Sequence, residues 1–128
     1  TACRNVSNHL EISGVFIFDV TTERNIVKHF HSQTFAENDQ DYSYIWQNIY
    51  TYADKLCRTS LTFFIREGDL FRRFEEMHIQ RIFGANIIKK MLNKTGYELV
   101  SIYDMYTFSK PHRNTDRINF TARKVREL

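Results

Sequence analysis

Proline is nearly missing from this chain of 128 residues: Pro111 stands alone, so no Pro-rich linker divides it. Its four glycines, Gly14, Gly68, Gly84 and Gly96, are isolated and cannot build a glycine-rich loop. The two cysteines, Cys3 and Cys57, show neither CxxC nor Cys/His ligand spacing, which argues against a disulfide framework or a structural zinc site and for free thiols. No apolar run approaches the ~18 residues of a membrane-spanning helix, and no signal-peptide pattern is seen. A soluble, cytoplasmic protein with no membrane partner is expected. Lysine and arginine never run longer than two, and a formal charge of +3 is only mildly basic, so the balance does not point to nucleic acid.

Aromatic residues are abundant. Eleven Phe and seven Tyr within a 42% hydrophobic chain favour strands over a helical bundle and exclude disorder. The length suits one domain with a real core. Gly14-Val15-Phe16-Ile17-Phe18-Asp19-Val20 is a nearly continuous apolar run after a helix-like stretch, Cys3 to Leu10. Such a run predicts a strand buried on both faces of a parallel sheet.

From Ile26 to Phe35 the chain reads as extended, and 37–41 reads as a loop. Tyr42, Tyr44, Trp46, Asn48 and Tyr50 then alternate with Ser43, Ile45, Gln47 and Ile49, and a second period-two run spans Leu56 to Arg66. Glu67-Gly68-Asp69 turns the chain into Leu70 to Phe83, which predicts an antiparallel meander. In Ala85 to Thr95, Ile87, Ile88, Met91 and Leu92 mark one face of a helix, with Gly96 as its C-terminal cap. Tyr97 to Phe108 and Arg117 to Lys124 close the chain, joined by a polar turn, with the last strand at or near the sheet edge. The fold class is thus α/β with α+β character, one domain over 1–128. Residues 1–24 and 84–128 form its core, and 25–83 form an inserted antiparallel sheet.

The strings GVFIFDVTTERN, TFAENDQDYSYIWQN and LTFFIREGDLFRRFEEMHIQRIF, followed by the helix and GYELVSIYDMYTFSKPHRNTDRINFTARK, carry a resemblance. Together they resemble the C-terminal portion of a bacterial class I S-adenosylmethionine-dependent methyltransferase, Rossmann-like with an antiparallel sheet inserted after its fifth strand. The resemblance covers nearly the whole chain. It implies S-adenosylmethionine as cofactor, a small-molecule methyl acceptor, and an inserted sheet that acts as an acceptor lid. Complete members hold the cofactor through a Gly-rich loop after the first strand and an acidic residue after the second. Neither is present here, so the chain reads as a fragment, a split gene product or a truncated relative that needs a partner copy. By itself it should bind the cofactor weakly or not at all. A homo-oligomer, or completion by the missing N-terminal half, is the corresponding expectation, with pairing through the strand at Gly14 to Val20. The alternative is a non-catalytic binding or assembly module derived from that fold.

Methyl transfer asks the protein for proximity, orientation and, with a protonated nucleophile, a base. Strand alternation places Arg72, Phe74, Glu76 and His78 on one face. His78 could act as general base or orient the acceptor, with Glu76 setting its tautomer or pairing Arg72. The competing reading is a surface ion-pair row. Tyr44 and Trp46, with Tyr42 and Tyr50, could wall an acceptor pocket or simply pack the sheet. Asp19, at the end of the first strand, is a cofactor candidate or a turn cap; Tyr103 and Asp104 are further candidates for substrate. His9, His29, His31 and His112 lack ligand spacing with any carboxylate or cysteine and read as surface or turn residues. The pair His29 and His31 alone does not define a metal site, and none is predicted. Arg66, Arg72 and Arg73 among aromatic strands could stack bases, but interleaved carboxylates weaken any phosphate track.

Overall fold

The computed structural model describes residues 2–128. In chain order the elements are α1 (Ala2–Ser7), β1 (Val15–Thr21), α2 (Glu23–His29), β2 (Thr34–Asn38), β3 (Tyr42–Thr51), β4 (Leu56–Glu67), β5 (Leu70–Arg81), α3 (Ala85–Lys94), β6 (Tyr97–Asp104) and β7 (Arg117–Lys124). They fall into two compact units. One runs to Arg24 and resumes from Phe83 to Leu128; the other is Asn25–Ile82. Among the described residues no helix is long and apolar enough to cross a membrane.

The first unit is built on a three-stranded sheet of order β1-β7-β6, with both pairings antiparallel. Phe16, Phe18 and Val20 turn one face of β1 onto the buried Phe120 and Ala122 of β7, where the α3 residues Ile88 and Leu92 close the core. Rings carry much of this packing: Phe18 stacks on Phe120 at 5.3 Å, and Phe16 lies 5.6 Å from Tyr97. Helix α3 ends at Thr95, whose hydroxyl donates to the Met91 carbonyl at 2.8 Å. Gly96 follows at φ +85°, and a Cβ there would meet the Arg126 carbonyl oxygen at 2.7 Å, so the chain can leave the helix this way only through glycine. Lys124 is buried, and its ammonium donates to the carbonyls of Ser7 (2.9 Å) and Leu10 (2.7 Å) and pairs with Glu127 (2.8 Å). It thereby caps the Ser7 carbonyl at the end of α1 and the Leu10 carbonyl just beyond it.

The second unit is a four-stranded antiparallel meander of order β2-β3-β4-β5. Gly68, at φ +66°, turns β4 into β5 through a two-residue loop between the paired Glu67 and Leu70. Ile26, Tyr50, Cys57 and Ile82 form its small core, with Val27 and Phe30 packed against them.

Several expectations are corrected. The segment 26–35 is not extended throughout: α2 occupies Glu23–His29, because Ile26, Val27 and Phe30 fall at helical spacing onto one cluster. Glu23 in its first turn and Lys28 and His29 in its last suit the helix dipole. Glu37 and Asn38 belong to β2, which leaves only 39–41 as the turn. Strand β1 is not buried on both faces, since Val15 and Ile17 are largely exposed, and its neighbour within this chain is antiparallel rather than parallel. The last strand is near the edge and not at it: β7 lies one strand in, because β1 and β6 both pair with it. Strand β6 stops at Asp104, so the connection to β7 is longer than the turn expected.

Leu92 is 1% exposed and Ile87, on the opposite side of the same helix, 50%. Leu92→Ala should therefore cost about 2–5 kcal/mol and Ile87→Ala less than about 1 kcal/mol. Urea denaturation followed by circular dichroism measures both, and equal losses would contradict the burial described.

Candidate functional site

The meander's register decides which side chains meet. Opposed residues run across β3, β4 and β5 in rows: Tyr42, Ile65, Arg72; Tyr44, Phe63, Phe74; Trp46, Leu61, Glu76; and Asn48, Thr59, His78. All lie on one face. Of the candidates named from sequence, Tyr44, Trp46, Arg72, Glu76 and His78 are brought onto this face together. Tyr44, Trp46, Thr59, Leu61, Phe63 and His78 line an open concavity of about 410 Å³. Its wall is almost entirely apolar, with an imidazole at one side.

Each wall residue is held by neighbours. Trp46 packs on Phe35 at 5.2 Å and Phe30 at 5.8 Å, and its indole N–H donates to the Asn48 Oδ1 at 2.8 Å. The Thr59 hydroxyl donates to the same oxygen at 2.7 Å. Asn48 is buried, so this shared acceptor pins two lining residues from beneath. Phe63 bridges Tyr44 at 6.4 Å and Phe74 at 5.0 Å. Thr59, Leu61, Phe63 and Asn48 were not singled out from the sequence. Their alternation was visible, but the pairing that sets them beside Trp46 and His78 was not.

Glu76 goes to His78 and not to Arg72. The His78 Nε2 donates to the Glu76 Oε2 at 3.0 Å, which leaves Nδ1 as the nitrogen with a free lone pair. Arg72 pairs instead with Glu67 at 3.2 Å, and its guanidinium lies 5.8 Å from the Phe74 ring. Tyr42 donates to Glu37 at 3.0 Å. That hydrogen bond and the carboxylate's charge raise the Tyr42 phenol above its ordinary value, and a hydrogen bond to Glu37 does the same for Tyr44. Burial raises the Cys57 thiol, which makes it a weaker nucleophile than a free cysteine.

Asp19 and Tyr103 lie in the first unit. They share one row of its sheet, each opposite Asn119 of β7. Tyr103 meets Phe108 edge-on at 5.7 Å, and Asp19 is held by the Arg117 guanidinium at 2.5 Å. His112 is an exposed residue of the connection before β7, with its Nε2 3.2 Å from the Asp104 carboxylate. His31 accepts the Tyr50 backbone N–H through Nδ1 at 2.9 Å, and among the described residues no group of three or more His, Cys, Asp or Glu could hold a metal ion.

Known proteins resemble the chain over its whole length. It is 30% identical over 125 residues to the Bacillus subtilis (strain 168) protein "Putative methyltransferase YqeM", which covers 98% of the chain and 51% of that relative. To "Putative methyltransferase GWCH70_2453" of Geobacillus sp. (strain WCH70) it is 28% identical over 116 residues, 90% of the chain and 47% of the relative. An S-adenosylmethionine-dependent methyltransferase from Clostridium acetobutylicum ATCC 824 superimposes with a TM-score of 0.80 at 29% identity, over 97% of this chain and 50% of that one. No family model matches the chain. The chain spans about half the length of the curated relatives it matches. What the chain resembles is thus the C-terminal portion of S-adenosylmethionine-dependent methyltransferases, and its mixed α/β fold with antiparallel sheets matches the fold of these neighbours.

A phenol whose pKa is raised by folding contributes stability below its unfolded value, and that contribution is lost as pH rises through the folded value. For Tyr42 and Tyr44 the window therefore opens near pH ~10 and extends upward. Glu37→Gln should bring both midpoints down toward the ordinary phenol value. Phenolate absorbance, taken as a difference against Tyr42→Phe and Tyr44→Phe, checks this; unmoved midpoints would show that Glu37 is not the cause.

Proposed function

We propose that this chain is the acceptor-binding, C-terminal half of a longer S-adenosylmethionine-dependent methyltransferase that acts on a small-molecule acceptor. Residues 25–83 are its inserted acceptor lid. The observation that carries the reading is the concavity in which Tyr44, Trp46 and Phe63 make an apolar wall and His78, backed by Glu76, stands at the side. An apolar wall with a few placed polar groups suits a small organic ligand. A protonated acceptor must lose its proton as its nucleophilic atom takes the methyl group. In this reading the Nδ1 lone pair of His78 accepts that proton, while the Glu76 carboxylate holds the ring and stabilises the imidazolium formed. Tyr44 and Trp46 orient the acceptor, and stacking on them would favour a cationic or planar group. The open edge of β1, which pairs only with β7 among the described residues, is where the N-terminal half would add its strands.

In the full enzyme, His78→Ala should lower turnover by about 100-fold or more and leave cofactor affinity nearly unchanged. Glu76→Gln should lower turnover less, because it removes the orienting charge and leaves the base. Normal turnover in His78→Ala with a lowered melting temperature would make the row structural and sink the assignment.

Calorimetric titration of the 128-residue chain alone should give weak or no binding of S-adenosylmethionine. Micromolar affinity would place a cofactor seat within these residues after all.

A further inference from the structure

Strand β5 is an edge with unusual properties. It pairs with β4 over twelve residues, Leu70 to Arg81, without bulge or proline, and it closes one side of the sheet. Its other side is open, and Leu70, Phe71, Met77 and Ile79 are exposed along it. Long, regular, apolar edges invite pairing, and proteins ordinarily blunt them with bulges, proline or charges that repel a partner. Here the charges have a different pattern. Arg72-Arg73-Phe74-Glu75-Glu76 reads as two cations, a ring and two anions, so reversal of the strand exchanges the signs.

We propose that two copies of this chain join β5 to β5 in antiparallel fashion about a twofold axis at Phe74, forming one continuous eight-stranded sheet. In that register Arg72 stands opposite the partner's Glu76, Arg73 opposite the partner's Glu75, and the same two pairs recur on the other side of the axis. Phe71 meets the partner's Met77. A twofold axis normal to the sheet keeps each side chain opposite one of the same face, so only registers centred on a residue are allowed. The neighbouring registers are unfavourable for a simple reason: centring on Arg72 or Arg73 sets a guanidinium against itself, and centring on Glu75 or Glu76 does the same with a carboxylate. Like charges directly opposed destabilise a ladder, and opposite charges support it. Phe74 is the one centre in this stretch that satisfies all four charges.

The ion pairs that these residues make within one chain do not stand in the way. Arg73–Glu75 at 2.5 Å and Arg72–Glu67 at 3.2 Å are solvent-exposed and can exchange partners. The aromatic row Tyr44, Phe63, Phe74 would continue across the axis into the partner's Phe74. Glu76 already holds His78, so the partner's Arg72 would be delivered to the edge of the concavity that His78 lines. The candidate site then carries a residue from the second copy. This inference concerns association only and stands whether or not the chain belongs to a methyltransferase.

Sedimentation velocity of the intact chain at micromolar concentration tests it, with circular dichroism to confirm that each exposed-site variant is folded. The unaltered chain should sediment at twice its monomer mass. Arg72→Glu with Arg73→Glu makes all four central charges acidic, and Glu75→Arg with Glu76→Arg makes them all basic; each variant alone should sediment as a monomer. Mixed in equal amounts, the two should form a 1:1 dimer, and the chain bearing all four exchanges should dimerise by itself. A monomeric unaltered chain, single-sign variants that remain dimeric, or a mixture that fails to associate would overturn the proposal. The second of these outcomes would also assign association to another surface, such as the open edge of β1.

Discussion

Everything chemically interesting in the second unit depends on the unbroken antiparallel register of β3, β4 and β5. Side chains alternate with a period of two, so a slip of one residue in any ladder would send His78 or Trp46 to the opposite face. The two-residue loop closed by Gly68 holds one ladder in place at its tip. At the far end of the β3–β4 ladder, Asp54 accepts the Leu56 backbone N–H at 3.0 Å and pairs with Arg58 at 2.7 Å. The Arg58 hydrogen bond keeps the Asp54 carboxyl below its usual range, and so charged through the neutral pH region. Turns thus set the register, register sets the face, and the face sets the concavity.

The first unit rests on a different constraint, the burial of one face of a short sheet against α3, with Cys3 of α1 in the same core. Phe120 and Ala122 are fully covered because β7 lies between two strands and beneath α3. The opposite face of the same sheet is treated otherwise. Val15 and Ile17 are largely exposed there, beside the row of Asp19, Asn119 and Tyr103. A sheet with apolar residues on both faces and only one of them covered is what half of a doubly wound domain presents. This agrees with relatives twice the length of the chain.

In the concavity, polar and apolar residues have separate tasks. The apolar wall excludes water from whatever rests on it, while the buried Asn48 holds Trp46 and Thr59 without reaching the lining. His78 and Glu76 remain exposed, which the proposed proton transfer requires. Arg72 is drawn off by Glu67, and so His78 is the wall's one imidazole beside the Tyr44 phenol.

Local pattern was enough to find the meander, its glycine turn, helix α3 with Gly96 beyond it, and the alternation that groups Arg72, Glu76 and His78, because these depend on neighbours within a few residues. Chain order and motif likewise sufficed for the methyltransferase resemblance. Helix α2 was missed because Ile26, Val27 and Phe30 have meaning only once Tyr50, Cys57 and Ile82 are seen to receive them. The pairing of β7 with β1 could not be read for a related reason: hydrogen bonding to a strand about 100 residues earlier in sequence leaves no local trace. The same holds for the role of Glu76, for which both Arg72 and His78 were open as partners on one strand face, until side-chain geometry gave it to His78 and gave Arg72 to Glu67. Sequence determined which residues could share a face. Only tertiary pairing decided which of them meet, since contact between distant strands is set by register and packing rather than by the order of residues along the chain.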